Sequence, residues 1–506
     1  MIADFEIHEF LYKHLKRHDV AVFCGAGISY NSGLPIVSTL LDYLFSKLEI
    51  TPSQKKSIVS SNLPFESIME IVLRESTLDE FIDCFLGGIP NANHSFIAKL
   101  AKHGHLKVIC TTNFDTLIEH ALAIEGLVRN NDFRVYSSEE DFKAIKWDEN
   151  LIHLIKIHGC VTKREEMAIT LSLIASDKYS LARQNVISTI FGGVSNLHTL
   201  VLGYSCSDID IVPIIESLSG ENGSVIFIDH NGDENFIAET RDISQKPPPN
   251  PFKDYRGLYV QANTDELVKG IWALLLVDTY FNLKVSRIKW KENIDQWYSK
   301  AIDDSGVGVK HHIASRLLYD IGEFKEAIKH HEEAISIALR DNNILAYSSE
   351  LGNMAMAYNS IGDYKQAKLC LAESLPLCKR INNLQAISSQ LQAYGKSLHE
   401  LHEDEEAIKV YQEALHYAKL EGDEFGICCV LGNISNSYNR LGKFDQAIQS
   451  LTEAITLSRK IGNKQAESSQ LGILSFTYSL LNQYEKSIDC CTSGISIKRA
   501  IGDRNG

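Results

Sequence analysis

From residue 20 to about residue 265 the chain alternates short, unbroken apolar runs with stretches of helical periodicity. The runs are "VAVFC", "LKVICTT", "LIHLIKIHG", "HTLVLGYS", "SVIFIDHN" and "LYVQAN". Most are continuous instead of alternating, which is the pattern of strands covered on both faces. This rhythm predicts an α/β fold built on a doubly wound parallel sheet. Loops at the carboxyl ends of the strands would then form the ligand crevice. "QKPPPNPF" at 245–252 predicts a surface loop, and "IWALLLV" at 271–277 a buried helix too short to span a bilayer.

Beyond about residue 285 the pattern changes. "IGEFKEAI" begins at 321, "IGDYKQAK" at 361, "LHEDEEAI" at 401, "LGKFDQAI" at 441 and "LNQYEKSI" at 481, a period of 40 residues without slippage. A second marker keeps step in "ELGNMAMAY" from 350, "VLGNISNSY" from 430 and "QLGILSFTY" from 470. Ala327, Ala367, Ala407 and Ala447 recur where paired helices must approach closely. Phe324, Tyr364, Phe444 and Tyr484 recur as packing anchors. Such a period predicts an all-α helix-pair solenoid. It resembles tetratricopeptide repeats of a long, 40-residue kind, over roughly residues 300–506. The expected division is a sheet domain at 1–285 and helical repeats at 286–506.

Composition narrows the class. At 506 residues the chain exceeds one core, and 44% apolar with 23% charged residues is ordinary for a foldable protein. A net charge of −15 argues against a general nucleic-acid or membrane-surface binder. "MIADFEIHEF" carries acids and no apolar core, so no secretory signal is expected. The eleven cysteines form no CxxC pair. Structural zinc is therefore not expected, and reduced thiols fit a cytoplasmic location.

The chemistry concentrates behind the first run. "GAGISYNSGLP" at 25–35 is a glycine loop following a strand, a frequent phosphate grip. It is neither a Walker loop, lacking Gly-Lys-Ser/Thr, nor G-x-G-x-x-G, since Tyr30 stands where the last glycine belongs. Three further strand ends carry polar loops. "TTNFD" supplies Thr112, Asn113 and Asp115, "KIHG" supplies His158 and Gly159, and "GYSCSDID" supplies Gly203, Ser205 and Asp208. Asn113 and Asp115 could equally cap the following helix. His94 and His153 lack such a context and read as structural.

As a set these loops resemble the sirtuin (SIR2-like) family, over about residues 10–275. Gly25–Pro35 match its G-A-G-x-S-x-x-S-G-[IL]-P loop, Thr111–Asp115 its T-x-N-x-D element, His158-Gly159 its H-G, and Gly203–Ser205 its G-x-S. The resemblance implies a Rossmann-like domain that binds NAD+ and breaks the nicotinamide–ribose bond. It further implies that Gly25, Ala26, Gly27, Ser29, Ser32, Gly33 and Pro35 cradle the diphosphate and shape the nicotinamide pocket. Thr112 would lie in the same site. Asn113 would hold the nicotinamide ribose or a water beneath it, and Asp115 the carboxamide. His158 would sit against the ribose hydroxyls, Gly203 and Ser205 would line the adenosine side, and Asp229 would take the adenine ribose. His158 and Asn113 are the expected catalytic pair.

One departure stands out. Protein-deacylating sirtuins carry two CxxC pairs after the catalytic histidine; here "CVTKREEMAITLSLIASDKYS" follows, and Cys160 stands alone. Water is then the simplest nucleophile at C1′. Zinc-free sirtuin-like domains fused to repeats resemble the NAD-hydrolysing effectors of bacterial antiviral defence. The expectation is an NAD+ glycohydrolase with no metal site, held as a homo-oligomer or triggered by a protein through its repeats. Its rivals are a zinc-free deacylase or ADP-ribosyltransferase, and a non-catalytic adaptor sensing NAD or ADP-ribose.

Overall fold

The structure, a computed structural model, describes residues 20–61, 63–74, 78–170, 172, 180–192, 198–218, 224–231, 238–274, 289–306 and 308–500. The described residues up to Ser305, without Pro52–Ile58, make one compact unit, and Pro52–Ile58 with those from Gly306 onward make a second.

The first unit is built on an eight-stranded sheet: β1 Val20–Cys24, β2 Leu106–Thr111, β3 Phe133–Tyr136, β4 Ile152–Lys156, β5 His198–Leu202, β6 Ser224–His230, β7 Glu239–Asp242 and β8 Arg256–Ala262. The order is β3-β4-β2-β1-β5-β6-β8-β7, parallel throughout except for β7, which pairs antiparallel with β8 at one edge. The parallel sheet expected from the six apolar runs is therefore present. Two edge strands escaped that reading. "FRVY" is short and half-buried, and "ETRD" is exposed along its whole length. Neither carries the apolar run that marks a strand buried on both faces.

Alternation along β1 explains its uninterrupted apolar sequence. Val20, Val22 and Cys24 point into one core layer, with Phe96, Leu100, Ile118, Leu122, Leu267 and Ile271 from covering helices. Ala21 and Phe23 point into the opposite layer, with Val186, Ile190, Phe191 and Ile215. Successive strand side chains face opposite ways, so a strand covered on both sides must be apolar at every position. The loop at 245–252 needs one amendment. Phe252 is fully buried, its ring 5.5 Å from that of Phe191 and 5.6 Å from that of Tyr255, so this segment is anchored in the core. Of "IWALLLV", 271–274 end the helix Thr264–Leu274, and 275–277 lie outside the described residues. No helix among the described residues is long and apolar enough to cross a membrane.

The helix Trp290–Ser305 belongs to the first unit. The Trp297 ring packs 5.3 Å from that of Phe81, and Asp295 takes both Tyr43 Oη at 2.8 Å and Lys47 Nζ at 2.6 Å.

The second unit contains ten successive helices among its described residues, from Val309–Asp320 to Tyr484–Ala500. Ala327, Ala367, Ala407 and Ala447 are all fully buried, as close helix packing requires. The recurring aromatics open the second helix of each pair at the half-buried positions 324, 364 and 444, whereas Tyr484 is 60% exposed and so is no packing anchor here. The period also lives in the backbone. Gly322, Gly362, His402, Gly442 and Asn482 share a left-handed conformation, with φ of 83, 80, 63, 71 and 58°. Asn343, Asn383, Asp423 and Asn463 cap helices through side-chain oxygens that accept the amide three residues on. The turns are thus specified as strictly as the packing.

Candidate active site

β1 is flanked by β2 and β5, and the sheet order runs outward in opposite directions from that point. In open α/β sheets such a switch point is where loops diverge and ligands bind. The carboxyl ends of β4, β2, β1 and β5 lie side by side there, and they carry the four polar loops read from the sequence.

The glycine loop opens as the 3-10 turn Ala26–Ser29. The Gly27 amide donates to Gly203 O at 2.9 Å, and the Gly25 amide to Leu202 O at 3.1 Å. A Cβ on Gly25 would meet Gly203 O at 2.8 Å, and one on Gly27 would meet Gly203 Cα at 2.7 Å. Gly203 itself has φ of +58°, and its Cβ would lie 2.4 Å from the Ile28 nitrogen. These three glycines are required because two loops cross backbone to backbone. The amides of Gly25, Gly27, Ile28, Tyr30 and Ser32 already donate to carbonyls of the chain. A diphosphate would have to be met by other groups of the loop.

Ser29 is the centre of a buried polar network. Its hydroxyl donates to Asp115 Oδ2 at 3.1 Å and accepts from Asn113 Nδ2 at 3.2 Å. His94 Nε2 lies 3.4 Å from the same oxygen. Asp115 Oδ1 accepts the Leu117 amide at 2.9 Å, so this carboxylate, one residue ahead of the cap position, ties down the first amide of the following helix while facing the network. Asn113 caps nothing. Its backbone amide donates to Thr111 Oγ1, and its Oδ1, like Ser32 Oγ, is buried with no protein partner. An acceptor and a hydroxyl are therefore available to a bound molecule or a water.

His158 lies at the end of β4, its ring 6.5 Å from that of Phe114. Nε2 is 3.2 Å from both Oδ1 and Oδ2 of Asp210, and Nδ1 is 3.7 Å from Asp208 Oδ1. Arg183 Nη1 pairs with Asp210 Oδ2. Burial alone would lower the His158 pKa, but Asp210 and Asp208 outweigh it and raise it above the ordinary imidazole range. Burial acts the other way on Asp210, yet His158 and Arg183 hold its carboxyl well below the usual range. Ligand atoms of His158, Asp208 and Asp210 lie within 4.8 Å of one another, but the Arg183 guanidinium already occupies the cationic place beside Asp210. A divalent ion would face that fixed charge.

Among the described residues, Ser205 bonds to Ser207 at 2.6 Å and Asp229 accepts from Tyr259 Oη at 2.7 Å; neither joins the Ser29 network. Ala26, Gly33 and Thr112 are half-buried, and Pro35 is buried. Four participants were not read from the sequence. His94, read as structural, does serve a capping box with Asn91, but its other nitrogen faces Ser29, and burial pushes its pKa down to about 4. Lys156 lies at the end of β4, 1% exposed, bonded to Asp115 O and, at 3.1 Å, to Glu119. Its signal was a lysine inside "LIHLIKIHG". Asp210 closes the "GYSCSDID" loop, where Asp208 was singled out instead, and Arg183 had no signal beyond its residue type.

The family model for the SIR2-like domain matches residues 107–246, across the β2, β4 and β5 loops just described. The first unit carries a SIR2-like domain. The model for the tetratricopeptide repeat matches residues 430–461 in the second unit. Over 227 residues the chain is 29% identical to the NAD(+) hydrolase ThsA of Cytobacillus dafuensis, covering 43% of this chain and 42% of that one. It is 27% identical over 199 residues to the NAD(+) hydrolase ThsA of Acinetobacter baumannii (strain 532279), covering 39% of each. The chain thus spans about two-fifths of the length of these curated relatives. Among solved structures, BtubC (BKLC) from P. vanneervenii is 16% identical over 41% of this chain and 88% of its own, with a TM-score of 0.37. The first unit holds Ser29, Asn113, Asp115 and His158 at one end of its sheet, all at most 7% exposed; the last three lie inside the matched stretch.

Proposed function

We propose that the SIR2-like domain is an NAD+ glycohydrolase that releases nicotinamide and ADP-ribose. The observation that carries the reading is the buried Asn113 side chain. Its nitrogen is locked to Ser29, its oxygen is unpaired, and it stands beside the loop that presents His158. Nicotinamide is cationic in NAD+ and leaves as a neutral ring, so the transition state resembles an oxocarbenium ion. Catalysis then needs orientation, a polar contact near C1′ and a base. Asn113 Oδ1 can hold a ribose hydroxyl or the attacking water. His158 accepts a proton, and the acidic surroundings of Asp208 and Asp210 favour a substrate with positive charge. Asp115 would meet the carboxamide, with Gly203, Ser205 and Asp229 on the adenosine side. The name NAD(+) hydrolase carried by both relatives supports this reading.

In this proposal the reaction uses no metal, the protein works in the cytoplasm, and its role is antiviral defence by depletion of host NAD+. The repeats respond to a protein trigger or assemble copies of the chain. The test is to incubate the full chain with NAD+ and an acetylated peptide and to assay nicotinamide, ADP-ribose and O-acetyl-ADP-ribose. Nicotinamide with ADP-ribose in equal amounts, lost by about 10²–10⁴-fold in His158→Ala and Asn113→Ala proteins that remain folded, is the expected result. O-acetyl-ADP-ribose as the main product would make the chain a deacylase, and binding of NAD+ without turnover would make it a sensor.

A further inference from the structure

We infer that Asp210 and Arg183 act together as positioning residues that fix the His158 tautomer, leaving Nδ1 as the nitrogen that takes the proton. The inference rests on the glycohydrolase reading only for the reaction it serves; the tautomer itself is a property of the ligand-free protein. Nε2 sits 3.2 Å from both carboxylate oxygens of Asp210. Arg183, whose side chain is 3% exposed, pairs with one of those oxygens and keeps the carboxylate ionised. An ionised carboxylate only accepts, so Nε2 must carry the hydrogen. The neutral ring then has its lone pair on Nδ1. That nitrogen is 3.7 Å from Asp208 Oδ1, too far for a hydrogen bond, and so remains open to substrate. A buried carboxylate that holds an imidazole in one tautomer and steadies its protonated form is a general device of acid–base catalysis.

The charges around the ring come from three elements. Asp208 and Asp210 lie on the loop after β5. Arg183 comes from the helix Ser180–Phe191. Glu66, on the helix Phe65–Leu73, also interacts electrostatically with His158. The carboxylates raise the histidine pKa and Arg183 opposes them. A base that must be neutral then loses activity as pH falls through that raised pKa.

The decisive variant is Asp210→Asn. Arg183 will claim the amide oxygen, turning the amide N–H toward Nε2. The ring must then hold its hydrogen on Nδ1, the wrong nitrogen for catalysis. We expect a fall of about 10²–10⁴-fold in kcat, with KM for NAD+ within about threefold. The acid limb of the pH profile moves to lower pH, because loss of a carboxylate lowers the histidine pKa. The double variant Asp210→Asn/Arg183→Gln frees the amide to turn its oxygen to Nε2, and it should recover part of the lost rate. A merely structural pair predicts no such rescue, since the double variant would be at least as damaged as the single one. Proton-coupled nitrogen spectra of histidine-labelled protein at alkaline pH, assigned with His158→Gln, read the tautomer without substrate. Hydrogen on Nε2 in the natural protein and on Nδ1 in Asp210→Asn is expected. Hydrogen on Nδ1 in the natural protein overturns the inference even if NAD+ is hydrolysed. Hydrogen on Nε2 with no NAD+ turnover leaves the tautomer assignment standing and removes the glycohydrolase reading.

Discussion

Ser29→Ala is the sharpest single perturbation of the candidate site. One oxygen, in a residue 2% exposed, is bonded to Asp115 Oδ2 at 3.1 Å and Asn113 Nδ2 at 3.2 Å and lies 3.4 Å from His94 Nε2. Its removal strands a buried carboxylate oxygen and a buried amide N–H. Each costs about 1–3 kcal/mol when left unpaired, and more when charged. The two can approach each other and recover part of the loss, so a net destabilisation of about 2–4 kcal/mol is expected. In a unit of this size that lowers the melting temperature by several degrees, at about 2–4 °C per kcal/mol. The kinetic effect is separate. Asn113 loses the contact that fixes its rotamer, and a misplacement of about 1 Å near the reacting atoms costs about 10²-fold. Differential scanning fluorimetry, together with nicotinamide release at saturating NAD+, measures both. A Ser29→Ala protein that melts and turns over like the natural one would show that the network neither supports the loop nor orients Asn113.

Further outcomes follow from other parts of the structure. Gly442→Ala should destabilise the second unit by about 1–2 kcal/mol, because φ of +71° is strained for any L side chain while the Cβ itself meets nothing within 4 Å; denaturant titration measures it. Lys156→Met leaves Glu119 without its buried partner and frees the Asp115 carbonyl, so a loss of about 3–5 kcal/mol is expected by the same titration. Chelators should leave NAD+ cleavage unchanged and elemental analysis should find no stoichiometric zinc; about one zinc per chain would revive the deacylase alternative. If the repeats restrain the enzyme, residues 1–305 should be more active than the full chain, and lysate from phage-infected cells should activate the full chain. The cut must follow Ser305, since Trp297 packs on Phe81 and Asp295 holds Tyr43. Full activity in the intact chain, unchanged by truncation or lysate, would leave the repeats without a switching role. A shift from about 1% to 99% active needs about 5.5 kcal/mol of differential binding, which a protein-sized contact can supply.

Local order was legible in the sequence because it is enforced locally. A strand buried on both faces has to be apolar at every position, and "VAVFC" states that directly. A solenoid repeats its packing, so alanines at 327, 367, 407 and 447 announce it. Glycines at 25, 27 and 203 were visible as a motif, but their reason was not. They touch one another because β1 and β5 are neighbours, a fact of sheet order that no spacing along the chain contains. The edge strands Phe133–Tyr136 and Glu239–Asp242 were silent, since incomplete cover, total in the second strand, removes the apolar constraint.

The candidate site divides in the same way. Asn113, Asp115 and His158 were marked by the loops that carry them, each just beyond a strand whose end the apolar run defines. Their partners come from elsewhere. His94 reaches Ser29 across 65 positions, Lys156 reaches Glu119 across 37, and Arg183 reaches Asp210 across 27. Electrostatic and hydrogen-bond energies depend on distance in space, and the fold alone sets those distances. The chain by itself therefore determined which side chains stand at the strand ends. Only the tertiary structure decided which nitrogen of His158 faces a carboxylate, that the side-chain oxygen of Asn113 stays open, and which buried cation holds the loop in place.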